Sequence, residues 1–184
     1  MEETVNDTRK IVLDSKGMDR ALTRMVHEII EQNKGIKDLA LIGIRTGGVP
    51  LSERLQQRIA AVEGTMVPAG ILDITLYRDD WSTLSQHPIV RKTEISFPVD
   101  NKNIVLVDDV LYTGRTVRAA LDALIDLGRP QKIQLAVLVD RGRRELPIKP
   151  DFVGLSIRTS ASEHVNVFLN EIAGRDEVVL EEKG

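Results

Sequence analysis

The chain has 184 residues, 42% of them hydrophobic and 29% charged, enough apolar content for one substantial core and too little length for two. A formal charge of -3 excludes a chain that coats nucleic acid indiscriminately, which needs broad phosphate neutralisation, yet leaves room for a local basic patch. Without cysteine there is no disulfide framework, thiolate metal site or cysteine nucleophile. The polar start and the lack of any apolar span of membrane length predict a single cytoplasmic domain over residues 1–184.

In chain order, Met18, Leu22, Met25, Val26, Ile29 and Ile30 form one helical stripe, with Gly35 as its expected stop. The apolar run Leu39 to Ile44 predicts a strand covered on both faces. Arg45-Thr46-Gly47-Gly48 then makes a turn, Pro50 suits a first helical turn, and Leu51, Leu55 and Ile59 continue that helix to Gly64. Alternation of Leu72, Ile74 and Leu76 predicts a half-exposed strand over Ile71 to Leu76. Tyr77 to Asn103 is polar, holds two prolines and lacks periodicity, which reads as a long arm or hairpin.

Ile104 to Val107 is a second buried-strand run. A helix follows on Val117, Ala120, Leu121, Leu124 and Ile125, closed by Gly128 and Pro130, and Ile133 to Asp140 completes a strand, helix, strand unit. Further strands are expected at Phe152 to Ile157, Val165 to Leu169 and Val178 to Leu180. The class is α/β.

Chemistry concentrates where the Ile104 strand delivers Asp108 and Asp109, then Val110-Leu111-Tyr112, then Thr113-Gly114-Arg115-Thr116 at a helix start. A loop entering a helix presents unpaired N–H groups and a positive dipole end, which suits a phosphate. Gly114 lets backbone approach the ligand, and Thr113 and Thr116 add hydroxyl donors. Two carboxylates would repel that phosphate but accept hydrogen bonds from vicinal sugar hydroxyls. An isolated Asp-Asp pair is more often a plain strand end. Here the sequence context favours a ribose phosphate, placed where open α/β sheets bind ligands. Neither G-x-x-x-x-G-K-[ST] nor G-x-G-x-x-G is present, so Walker and dinucleotide loops do not match.

The segment Ile104, Val105, Leu106, Val107, Asp108, Asp109, Val110, Leu111, Tyr112, Thr113, Gly114, Arg115 and Thr116 resembles the phosphoribosyl pyrophosphate (PRPP) motif of type I phosphoribosyltransferases. Its Leu-Tyr-Thr-Gly-Arg-Thr ending is similar to that of the PyrR pyrimidine operon regulators. Ala21 to Arg24 with His27 and Glu28, DITLYRDD at Asp73 to Asp80, and LAVLVDRG followed by RELPI extend the resemblance over most of the chain. It implies a mostly parallel twisted sheet flanked by helices, with a flexible arm over the site. It also implies a protein that binds a pyrimidine operon leader RNA when UMP is bound and that converts uracil and PRPP to UMP and pyrophosphate.

By that resemblance, Asp108, Asp109 and Arg78 are catalytic: the two carboxylates hold ribose hydroxyls, and Val110 to Thr116 wrap the 5′-phosphate. Arg45, Thr46, Gly47 and Gly48 match the pyrophosphate loop, while Arg78, Asp79 and Asp80 lie on the closing arm. Val139, Asp140 and Arg141 fall where the base binds, and Thr23, Arg24, His27, Arg141, Arg144 and Lys149 on the RNA surface. Mg2+ enters with PRPP rather than on a dedicated side-chain site, and the family suggests a homo-oligomer, dimer or higher.

Four positions depart from the family pattern. Gly47 stands where arginine is usual, Arg143 where histidine is usual, and Leu155 and Arg158 where lysine and proline are usual. The first motivates a nucleotide-sensing RNA-binding protein with little catalysis. Leu155 motivates the other alternative, an enzyme without RNA control.

Overall fold

A computed structural model of the chain describes residues 8–80 and 91–182. Strand β1 (Thr8–Leu13) begins at the end of the polar start, runs through Ile11 to Leu13 and was not expected from sequence. Asp14 then caps helix α1 (Ser15–Asn33), its carboxylate accepting from Gly17 N at 2.7 Å. The predicted stripe is buried, including Met18, Leu22, Met25, Val26 and Ile29. The left-handed residue that stops the helix is Lys34, one before the expected glycine, and Gly35 N returns to Ile30 O at 2.9 Å.

Strand β2 (Leu39–Ile44) is buried at every position, as the unbroken apolar run requires. Helix α2 (Gly48–Glu63) carries Pro50 in its first turn and stops at left-handed Gly64. The predicted strand Ile71 to Leu76 is corrected to β3 (Ala69–Leu72) followed by a 3-10 turn at Thr75–Tyr77. The cause is Asp73, whose carboxylate accepts from both the amide and the hydroxyl of Thr75 and so outcompetes ladder pairing. The returning end of the predicted arm pairs back on β3, with Ile71 and Glu94 exchanging both backbone bonds at 2.8 Å. The rest of the expected hairpin, residues 81–90, lies outside the described residues.

Strand β4 (Asn103–Leu111) is longer than its apolar run and carries both aspartates. Helix α3 (Arg115–Asp126) and strand β5 (Lys132–Asp140) follow, then β6 (Phe152–Ser156), β7 (Glu163–Phe168), the short helix α4 (Asn170–Ala173) and β8 (Glu177–Glu182). The five parallel strands run in the order β3-β2-β4-β5-β6, and a separate antiparallel sheet has the order β1-β8-β7. The parallel strands read as continuous apolar runs because helices cover both faces. Val105 and Val107 pack with the α1 and α2 stripes, whereas Ile104 and Leu106 pack with Val117, Ala120 and Leu124 of α3. Phe152, Leu169 and Val178 join the first of these cores, seating the small sheet against it. Each such fully buried side chain contributes about 1.5–3 kcal/mol.

The candidate nucleotide site

Parallel pairing brings the carboxyl ends of β2, β3 and β4 to one edge, the usual ligand edge of such a sheet. A cleft of about 580 Å3 opens there. Arg45, Thr46 and Gly47 supply one wall after β2; Asp73, Ile74, Thr75 and Arg78 supply another after β3; Arg91 adds the returning segment. Asp108, Asp109, Val110 and Thr116 form the floor and far end. The sequence-predicted carboxylates, pyrophosphate loop and Arg78 thus meet in one cavity of ligand size.

The two aspartates are not equivalent. Asp108 is only 6% exposed, and its Oδ1 accepts from Asp109 N at 2.9 Å. Burial first, and the neighbouring Asp109 charge second, push its carboxyl well above the usual carboxylate range. Asp109 is only partly buried, and its Oδ1 accepts from Val110 N at 2.8 Å. Asp108 is thus almost wholly buried at the cleft floor, while Asp109 is the more open of the two carboxylates there.

Two glycines pack closely at this edge, Gly48 against backbone and Gly47 against a side chain. A Cβ on Gly48 would lie 2.1 Å from Val107 O, and one on Gly47 would lie 2.2 Å from Asp109 Oδ2. The turn after β2 therefore rests directly on the end of β4. The Arg45–Thr46 peptide is cis. Arg45 turns toward the arm: its Nη2 donates to Lys92 O at 3.1 Å and lies 3.6 Å from Glu94.

At the phosphate end, Gly114 is left-handed at φ 95° and begins α3 without a side-chain cap or an acidic residue in the first turn. The N–H groups of the first turn beyond Arg115 have no partner within the helix and suit an anion. Arg115 N donates to Thr113 Oγ1 at 3.3 Å. The Arg115 guanidinium points away from this end, bonded to Glu145 at 2.6 Å and to Asp79. Arg78 pairs with Asp80 at 2.6 Å, so the predicted arm residues form ion pairs at the cleft mouth. The side chains of Ile104, Val105, Leu106, Val107 and Leu111 are at most 1% exposed. Their part in the predicted motif is to place the loop, not to touch a ligand.

The predicted base side is less open than expected. Val139 is buried in the core. Asp140 Oδ1 accepts from Gly142 N at 3.0 Å and from Arg144 Nη2 at 2.7 Å. Arg141 is also buried, donating to Thr159 Oγ1 at 3.1 Å and Glu163 O at 2.7 Å while stacking 3.9 Å from the Tyr112 ring centroid. Val139, Asp140 and Arg141 are not among the residues lining the cleft, and the burial of Arg141 weighs against the expected RNA contact there.

The family profile described as Phosphoribosyl transferase domain matches residues 8–171. The chain belongs to the phosphoribosyltransferase family. It is 62% identical over 169 residues to the Bifunctional protein PyrR of Pelotomaculum thermopropionicum, covering 92% of this chain and 93% of that one. With the Bifunctional protein PyrR of Acetivibrio thermocellus it shares 61% identity, covering 94% and 95% of the two chains. This places it in the PyrR group. Among solved structures, the hypoxanthine phosphoribosyltransferase of Trypanosoma cruzi superposes with a TM-score of 0.72 at 16% identity, covering 95% of this chain and 97% of the other. A hypoxanthine-guanine phosphoribosyltransferase from Bacillus anthracis gives 0.71 at 15% identity, with 93% and 96% covered. These two share the phosphoribosyltransferase fold.

On the phosphoribosyltransferase frame, the residues expected to meet RNA divide into two kinds. Thr23, Arg24 and His27 are exposed on α1, as is Lys149 elsewhere, whereas Arg141 is buried and Arg144 half-buried. Arg24 also straps α1 to the edge strand, donating to Val153 O at 3.0 Å and Gly154 O at 2.7 Å. Leu155 is half-buried beside Val139 in the β5–β6 pairing. Sequence reasoning missed Asp73, whose second oxygen accepts from Arg91 N and whose amide donates to Thr93 Oγ1 at 3.1 Å. The Asp73-Ile74-Thr75 pattern is an Asx-turn signal that carried this information.

Proposed function

We propose that the chain binds UMP and PRPP in this cleft, regulates pyrimidine operon transcription through a leader RNA in response to UMP, and converts uracil and PRPP to UMP and pyrophosphate. The observation that carries the reading is the meeting of Asp108 and Asp109 with the uncapped start of α3 at one sheet edge. Asp109, the more open carboxylate, accepts from the ribose hydroxyls beside Asp108, and the Thr113 to Thr116 turn holds the 5′-phosphate by backbone N–H groups. The arm around Arg78 excludes water from the reacting carbon.

In the transfer, the bond from C1′ to the pyrophosphate oxygen breaks with its electron pair leaving on pyrophosphate. The bond from C1′ to the uracil nitrogen forms, and that nitrogen gives up its proton to the departing pyrophosphate or to water. Orientation and electrostatics accomplish this without a covalent protein intermediate. Mg2+ neutralises pyrophosphate charge when bound. Asp108 and Asp109, the carboxylates lining the cleft next to the turn after β4, are the side chains that would help hold such an ion.

No helix among the described residues is long and apolar enough to cross a membrane. A cytoplasmic homo-oligomer, dimer or higher, completes the reading. A second reading, a UMP-sensing RNA-binding protein with little turnover, is favoured by Gly47 and by the Arg45 guanidinium's commitment to Lys92 and Glu94. Steady-state UMP formation from uracil and PRPP separates the two. A gel shift on a pyrimidine leader hairpin with and without UMP tests the regulatory half; sequence-indifferent binding that ignores UMP would sink it.

A further inference from the structure

The loop after β5 is strapped to the phosphate turn by bonds that converge on one side chain. Arg144 Nε donates to Ile148 O at 2.9 Å and Nη2 to Asp140 Oδ1 at 2.7 Å. Its Nη1 donates to Tyr112 O at 3.0 Å and to Gly142 O at 3.2 Å. It therefore closes both ends of the 140–148 segment upon itself and fastens it to the residue before Thr113. The same seam is reinforced by Thr113 O, which accepts from Glu145 N at 2.9 Å and Leu146 N at 3.1 Å. A Cβ built on Gly114 would meet Ile148 at 3.3 Å, so the turn has little room to move independently of this loop.

We propose that Arg144 is a positioning residue that locks the phosphate turn to the 140–148 loop, so that nucleotide occupancy at the turn is transmitted to the order of that loop. This rests on the nucleotide-site reading above. The expected role of Arg144 as an RNA phosphate contact needs only a positive charge. A brace needs the planar fork of guanidinium N–H donors reaching four separate acceptors, which an ammonium cannot span. Ligand binding at Thr113 to Thr116 then orders Glu145 and Leu146, because their amides bond the carbonyl of Thr113 itself.

Arg144→Lys and Arg144→Ala separate these roles. Isothermal titration with UMP on the full chain is expected to show about tenfold weaker binding in both variants, the effect of losing a charge-assisted bond that holds the turn. Hydrogen exchange is expected to show UMP slowing Glu145 and Leu146 amides in the unmodified chain, with that protection lost in both variants. Arg144→Lys keeps charge and most of the volume, so it serves if Arg144→Ala does not fold. Unchanged UMP affinity in a folded variant, or full rescue by lysine, overturns the brace and leaves a point-charge contact. An unmodified chain that fails to bind UMP removes the nucleotide-site reading and the brace together; variants indistinguishable from an unmodified chain that does bind remove only the brace.

Discussion

Replacing Gly47 by alanine is expected to weaken UMP, although UMP has no pyrophosphate and position 47 lies in the predicted pyrophosphate loop. The added Cβ would stand 2.2 Å from Asp109 Oδ2, whereas ordinary contact begins at 3.4 Å, so the carboxylate must withdraw by about 1.2 Å or the turn must lift. A shift of that size breaks a hydrogen bond from a ribose hydroxyl to a charged acceptor. Such a bond contributes about 1.5–3 kcal/mol, which corresponds to roughly tenfold to a hundredfold in affinity. Titration of UMP by calorimetry, with a thermal melt to confirm folding, reads this directly. Gly47→Arg adds the family's usual charge but brings the same Cβ, so it should lose UMP affinity while recovering part of its PRPP affinity. The charge gained at position 47 and the crowding of Asp109 thus act in opposite directions. UMP affinity within about twofold of the unmodified chain, in a folded Gly47→Ala protein, would refute the coupling.

Asp108→Asn should raise stability at neutral pH. The native carboxyl keeps its proton well above the usual range, through burial first and Asp109 second, while the unfolded chain releases it there. Native stability therefore falls as pH rises from the usual carboxylate range toward the raised native value; melts across that window should slope for the natural chain and flatten for Asp108→Asn, and parallel curves would contradict it. Asp73→Ala should free the returning segment, cost about 1–3 kcal/mol, and speed amide exchange at Arg91, read by hydrogen exchange. Burial opposes ionisation of Asp73, but bonds from Thr75 and Arg91 and the Arg45 charge outweigh it and depress its pKa. Its contribution is thus present above the unfolded pKa and lost as pH falls through the native one. Arg54→Ala leaves Glu171 and Asp176 without the partner that bonds them at 2.6 and 2.7 Å. Urea denaturation should report a loss of about 1–3 kcal/mol.

Features carried by neighbours in the chain were legible. The runs at Leu39 and Ile104 announced buried strands, and Pro50 and Gly64 marked the beginning and end of α2 because those residues act locally. The strand expected through Ile74 and Leu76 was misread because alternation satisfies a period of two while the Asp73 side chain redirects the backbone. β1 escaped notice since it gains order from its partner β8, with Ile11 left 54% exposed. At the site, Asp108 to Thr116 stood out because motif and chemistry are contiguous. The Gly47 contact with Asp109 and the Arg144 bonds to backbone carbonyls join distant segments, and carbonyl acceptors leave no mark on residue type.

The assignment of the β4 edge as the ribose-phosphate site is tested most directly by titrating UMP into the natural chain and into Asp109→Asn, with melting curves establishing that both are folded. The assignment predicts measurable UMP binding by the natural chain and its loss on Asp109→Asn. Equal affinity in the two proteins would contradict it.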